Sequence, residues 1–338
     1  MNKNRNDHFK PLNEYVYNSK MKNEATAAAT YIIKDKVVVD EWYSGTHDSY
    51  VGSRHVDEKT QFNVGSIRKT YLALAISLLI EQGKIRTIDD HIVTYLEEYE
   101  KAVEGTSIRH LLTNSHGLIE TDNHFEREFP VGESWAYRSP GITMLIKLVK
   151  KLSGQDLSAF MKSHVFNPFQ LNETGWKTEY NEDMIYNYYH YKDTWVGPNN
   201  SDKGDQSNLF ISARDLAMWG YIHLEKGCLH DKQILPQRVF ERIMTPQTPI
   251  TVPAHFPLNG FIWWLQNDTP LNQLGEDLPS CSFQILGITG CICLVIPKYN
   301  AVVVRMYNQL NESKGYDYLK DIREFGNVAN DLLSTYRT

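Results

Sequence analysis

Alternating, β-rich stretches lie near both ends of the chain, and helical spacing fills most of the interval between them. Residues 30–43 (TYIIKDKVVVDEWY) form two apolar runs around Lys34-Asp35-Lys36, the pattern of a hairpin. Residues 291–308 (CICLVIPKYNAVVVRMYN) repeat it around Pro297-Lys298-Tyr299-Asn300. A third aromatic, β-prone run covers residues 260–266 (GFIWWLQ). In the last segment, residues 316–336, Tyr318, Leu319, Ile322, Phe325, Val328, Leu332 and Leu333 recur at helical spacing. Residues 67–82 are apolar nearly all round, which predicts a buried helix. Residues 140–152 open with Pro140 and stop before Gly154, and residues 156–166 and 212–226 predict two further helices. The last of these starts at Ser212 with Asp215 three positions on, a relative of the capping box.

Strands supplied by both ends must meet in one sheet, so the helical middle is an insertion. We expect a single catalytic domain with a sheet lobe from residues 25–65 and 255–338, a helical lobe from residues 66–254, and a ligand cleft between them. The first two dozen residues read as a polar tail.

Composition narrows the function. The 338 residues are 41% apolar, ordinary for a globular chain, and 35 basic against 41 acidic residues give a net charge of −6. That balance lacks the basic excess of a nucleic-acid binder. The most apolar segment, residues 71–80, is too short to cross a bilayer and contains Ser77. The basic N-terminal stretch has no apolar core of a secretory signal, so a cytoplasmic protein is expected, with neither nucleic-acid nor membrane partners. Cys228, Cys281, Cys291 and Cys293 are sparse and read as buried, reduced thiols, the last two on one face of a strand. The 12 histidines form no HExxH pattern, and no metal or cofactor is expected.

Ser66-Ile67-Arg68-Lys69 stands at the head of the buried helix. Spacing i, i+3 brings hydroxyl and amine to one helical face. A lysine desolvated among apolar neighbours can lose its proton near neutral pH and activate a serine. Arg68 points about 100° away from Lys69 and is expected to take no part. Ser19-Lys20-Met21-Lys22 also fits S-x-x-K, but lies in the polar tail with no apolar helix behind it. Tyr137-Arg138-Ser139 is a second candidate: a phenol near a lysine can have a lowered pKa and shuttle a proton. Taken alone, the same residues fit a packed tyrosine followed by an N-cap serine. Gly132-Glu133-Ser134-Trp135-Ala136 lacks the second glycine and the preceding strand of a nucleophile elbow. Gly287-Ile288-Thr289-Gly290 fits either a close backbone approach to a ligand or an ordinary lead into a strand.

Several stretches in one order resemble the serine β-lactamase and penicillin-binding-protein family, especially its class C-like and esterase-like branch. "FNVGSIRKTYLALAISLLIEQGKI" is similar to the segment around its nucleophile, and "IRHLLTNSHGL" to the family's next segment along the chain. "PVGESWAYRSPGITMLIKLVKKLSGQ" resembles the region of its tyrosine box. "GFIWWLQ" and "GITGCICLVIPKYNAVVV" resemble the strands that close its cleft. The resemblance implies an α/β (α+β) fold: an antiparallel sheet flanked by terminal helices, plus an inserted, mostly helical lobe. It implies Ser66 as acyl-forming nucleophile, Lys69 as base, Tyr137 as proton shuttle and Ser139 as the last position of the tyrosine box. The Ser66 and Ile288 N–H groups would form the oxyanion hole beside Gly287.

The third box, Lys-Thr-Gly or His-Thr-Gly in relatives, falls on Ile285-Leu286-Gly287, so cation and hydroxyl are missing. Relatives similar to 6-aminohexanoate-dimer hydrolase tolerate such a box. The expected function is therefore a serine hydrolase or acyltransferase acting on a small ester, amide or peptide and poor on β-lactams. A transacylase passing its acyl group to an amine, or a penicillin-binding-like receptor, are the alternatives. Arg305, on the neighbouring strand, is the cation best placed to supply the missing charge. A fluorophosphonate probe is expected to label Ser66 and to leave Ser19 and Ser134 unmodified. Peptide mapping checks this, and a label on Ser134 would restore the nucleophile-elbow reading.

Overall fold

Asp35 and Lys36 both take left-handed φ angles, 49° and 66°. Such a pair closes the tight turn that right-twisted strands favour. A computed structural model describes residues 1–3, 7–99, 103–122, 124–189, 192–310 and 315–337. In chain order the principal strands are β1 (Asn2–Lys3), β2 (Ala27–Lys34), β3 (Val37–Gly45), β4 (Gln61–Asn63), β5 (Thr174–Trp176) and β6 (Leu209–Ser212). They continue with β7 (Leu258–Asn259), β8 (Trp264–Leu265), β9 (Phe283–Leu286), β10 (Ile292–Ile296) and β11 (Ala301–Tyr307). The principal helices are α1 (Lys10–Lys22), α2 (Arg68–Glu81), α3 (Pro140–Ser153), α4 (Ala213–Leu224) and α5 (Tyr318–Thr335).

One sheet runs in the order β1-β3-β2-β11-β10-β9-β8-β7, antiparallel except for the β1–β3 pair. Its centre is the junction of the two chain ends, with Lys34 opposite Ala301 and Ala28 opposite Tyr307. Side chains of β11 alternate between two helical layers, as a period of two requires. Val302 faces α4, while Tyr307 reaches α1, donating its hydroxyl to the Val16 carbonyl at 2.9 Å, and Arg305 reaches α5. The mixed α/β architecture, an antiparallel sheet with helices on it, is the one expected.

Three local readings are corrected. The polar tail is the helix α1, held by a narrow apolar edge of Leu12 and Val16 with Phe9 before it, all fully buried. So few apolar residues give no visible periodicity. The run at 260–266 is not one strand. A turn with Ile262 at φ 68° and a Gly260 N–H to Trp263 carbonyl bond of 3.0 Å leaves only Trp264–Leu265 in the sheet. Ser212 caps α4 by accepting from the Asp215 N–H at 3.1 Å. The Asp215 carboxylate does not return the bond but accepts from Glu173 N–H and the Thr174 hydroxyl.

All four cysteines are free. Cys291 and Cys293 are buried, as expected, but Cys228 is half-buried and Cys281 exposed. Among the described residues no helix is long and apolar enough to cross a membrane. Gly220 is the close-packing point of α4 on the sheet: a Cβ there would lie 2.6 Å from Val302 Cγ1 and 2.8 Å from Cys293 Sγ. Gly220→Ala should therefore lower the denaturation midpoint, although alanine gains about 1 kcal/mol of helix propensity. A raised midpoint in urea titration would show that the layer can relax.

Candidate active site

The turn that carries Ser66 is shaped by its neighbours. Val64 N–H donates to the Leu209 carbonyl at 3.2 Å, ending the β4–β6 pairing. Gly65 then takes φ 51°, a conformation glycine adopts without strain. Its N–H donates to Asn63 Oδ1 at 2.9 Å, and Asn63 Nδ2 donates to the Ser207 carbonyl at 2.8 Å. The chain enters a 3₁₀ turn at Gly65–Ile67 and continues as α2. This helix is buried on all sides. Thr70 links it to α4 by accepting from Trp219 Nε1 at 2.9 Å, and the Tyr71 ring stacks on Trp219 with centroids 4.0 Å apart.

One turn past Ser66, Lys69 places its ammonium nitrogen 3.2 Å from Ser66 Oγ and 2.6 Å from the Tyr137 hydroxyl. Lys69 is only 9% exposed. Burial, reinforced by the Arg68 charge, pushes its pKa down to about 7. Tyr137 arrives on a loop pinned by Ala136 N–H to the Asn114 carbonyl (3.0 Å) and by Trp135 Nε1 to Asn259 Oδ1 (2.9 Å). Its phenol is not depressed as expected. Burial raises its pKa, opposed by hydrogen bonding with Ser66 and by the Arg68 charge. The phenol therefore keeps its proton near neutrality, and the depressed group is the lysine.

Arg68 also departs from expectation. Its Nε donates to Ser207 Oγ at 3.3 Å, and its charge is felt at both Lys69 and Tyr137. Helical angle alone missed this, because a long side chain can fold back toward the cleft.

The turn at residues 287–290 abuts the Ser66 turn. A Cβ on Gly287 would sit 2.3 Å from the Val64 carbonyl oxygen, and one on Gly65 would sit 3.2 Å from Ile288 N. The bare backbone at both positions lets the two turns meet, which brings the Ile288 amide beside the residue preceding Ser66. Ile285 and Leu286 are buried within β9, while the Ile288 side chain is 57% exposed.

Arg305 does not reach the cleft: it is fully buried, with Nη1 2.5 Å from Asp321 Oδ2 and Nε donating to the Gly290 carbonyl at 3.1 Å. Ser139 is exposed and its side chain does not cap α3. Ser134 lies in a loop with no strand leading into it, and Ser19 is buried on α1 against Asp321. An aromatic wall was missed altogether: Trp264 lies 6.0 Å from Tyr137 and 5.5 Å from Trp135, centroid to centroid, with Phe256 beyond. The Trp-x-Tyr spacing at residues 135–137 and the aromatic run at residues 260–266 were its traces in the sequence.

The chain belongs to the beta-lactamase family, whose profile matches residues 8–324. An uncharacterised protein of Alkalihalophilus pseudofirmus is 39% identical over 312 residues, 92% of each chain. Among solved structures, EstCE1, a hydrolase with promiscuous acyltransferase activity, superposes with a TM-score of 0.75 at 18% identity. That match covers 94% of this chain and 98% of EstCE1. A class C beta-lactamase gives 0.76 at 15% identity over 98% and 97% of the two chains.

Fluorophosphonate labelling of Ser66 should rise with pH through about 7 as Lys69 loses its proton. Arg68→Gln removes a positive neighbour, so Lys69 holds its proton longer and the rise moves to higher pH. A labelling profile across that range checks the direction, and an unmoved midpoint would show that the Arg68 charge is screened.

Proposed function

We propose that the protein is a serine hydrolase that cleaves a small ester, amide or peptide through an acyl-Ser66 intermediate. The observation that carries this is Lys69 Nζ within hydrogen-bond reach of both Ser66 Oγ and Tyr137 OH at a site dry enough to release its proton. Ser66 Oγ attacks the substrate carbonyl while its proton passes to neutral Lys69. The negative oxygen of the tetrahedral intermediate accepts from the Ser66 and Ile288 N–H groups. Collapse breaks the bond to the alcohol or amine, which takes its proton from the Lys69–Tyr137 pair through the protonated phenol. A water then attacks the acyl-serine and gives one proton to that pair. As the acyl–Oγ bond breaks, the pair passes this proton to Oγ, which restores Ser66 and neutral Lys69 and releases the carboxylic acid.

Two observations favour neutral substrates. The wall formed by β9 offers no cation where relatives carry lysine or histidine, and Arg305 is held by Asp321 behind the sheet. A carboxylate there forgoes a charge-assisted contact worth about 1.5–3 kcal/mol. Trp135, Trp264 and Phe256 instead offer apolar surface beside Tyr137. The family and the fold neighbours are hydrolases, and EstCE1 also transfers acyl groups. The same acyl-serine passed to an amine would make the protein a transacylase. The complete Ser66, Lys69 and Tyr137 set weighs against a receptor that only binds.

Intact-mass measurement with p-nitrophenyl butyrate should reveal an acyl adduct that Ser66→Ala loses. In steady state, kcat/KM for that ester should exceed the value for nitrocefin by about 10²-fold, roughly two such tenfold steps of 1.4 kcal/mol. Equal or faster nitrocefin hydrolysis would mean that another cation serves the missing box. Full activity in Ser66→Ala would end the acyl-serine reading.

A further inference from the structure

The turn at residues 287–290 is gripped from behind at both ends by side chains far away in the sequence. Tyr318, the first residue of α5, donates its hydroxyl to the Gly287 carbonyl at 3.0 Å. Arg305 donates Nε to the Gly290 carbonyl at 3.1 Å. Arg305 is itself fixed by Asp321, whose carboxylate also accepts from Ser19, from Tyr15 at 2.8 Å and from Tyr316 at 2.6 Å. So many partners hold the Asp321 carboxylate, and through it the Nη1 side of the guanidinium, in place.

The Gly287 carbonyl and the Ile288 N–H belong to one peptide unit. That unit is planar, and the chain has no cis peptide bonds among its described residues, so the two groups point in opposite directions. Whatever fixes the carbonyl toward α5 therefore aims the N–H the other way, on the side of the Ser66 turn that Gly65 lets approach. A donor on the carbonyl also polarises the amide and strengthens its N–H as a donor.

We propose that Tyr318 is a positioning residue for the oxyanion hole, orienting the Ile288 amide through the Gly287 carbonyl, with the Arg305–Asp321 pair holding the far end of the same turn. This rests on the acyl-serine reading, in which the Ile288 N–H receives the negative oxygen. The C-terminal helix then belongs to the catalytic apparatus without touching substrate.

Tyr318→Phe is a mild test, because the Gly287 carbonyl keeps a second donor, the Gly290 N–H at 2.9 Å. Inactivation by a fluorophosphonate, followed to saturation, separates reaction from binding. In Tyr318→Phe the limiting rate should fall about tenfold, below the 10²–10³-fold cost of deleting an oxyanion donor outright. The half-saturating concentration should stay within about twofold, and the pH midpoint set by Lys69 should not move. Tyr15→Phe, which loses a hydroxyl on Asp321 but none on the turn, should react at the parent rate. An unchanged limiting rate in Tyr318→Phe, an equal loss in Tyr15→Phe, or a variant that fails to fold would overturn the proposal. Persistent turnover in Ser66→Ala would overturn the acyl-serine reading instead, so the two failures are separable.

Discussion

The pairing of β2 with β11 joins the two ends of the chain in the middle of a sheet, and the other parts of the molecule take their positions from it. With Lys34 opposite Ala301 and Ala28 opposite Tyr307, the segment between becomes a long excursion that leaves the sheet and returns. The returning chain enters at the far edge of the sheet and steps inward through β9 and β10 to β11. The turn after β9 meets the head of α2 through two glycines whose missing side chains allow the contact. Antiparallel pairing makes this register strict: a slip of one residue would exchange the α4 and α5 faces of β11 and strand Arg305 against an apolar helix.

Two buried cations show two answers to the same difficulty. A charge removed from water must be paired or given up. Arg305 cannot lose its proton, and the structure supplies Asp321, three hydroxyls around that carboxylate and a backbone carbonyl. Lys69 has only a serine and a phenol, with a second cation nearby, and its proton affinity falls instead. The arginine solution is rigid and silent. The lysine solution leaves a base that is poised near neutrality, which is what the proposed chemistry requires.

Much of this was legible because it is written in short range. Hairpin turns, the all-apolar helix after Ser66 and the Pro140 and Gly154 boundaries each declare themselves within a few residues. Ser66 and Lys69 were separable from the Ser19 and Lys22 pair by the apolar helix that only the former heads, and the structure places Lys69 against Ser66 and Tyr137. The readings that failed depend on distant partners. Helix α1 is stabilised by α5 and the sheet rather than by its own pattern. The direction of the Tyr137 shift comes from burial by chain segments its sequence neighbours do not reveal. Arg305 looked available because adjacency on a sheet says nothing about which face a strand presents until its register is known. Arg68 was dismissed by helical angle, although its reach is set by a long, flexible side chain rather than by its Cα.

The junction of the chain ends has a bearing on how the protein comes into being. A ribosome that has reached residue 280 has already made Ser66, Lys69 and Tyr137, yet β2 is paired on one side only, with β3, and the turn after β9 does not exist. Contacts of such large sequence separation close late. Emerging chains acquire structure from the N-terminal side at about 5–20 residues per second. The nascent polypeptide therefore carries Ser66, Lys69 and Tyr137 well before the turn that faces them, and the candidate site is assembled only once β9 to β11 and α5 have been made.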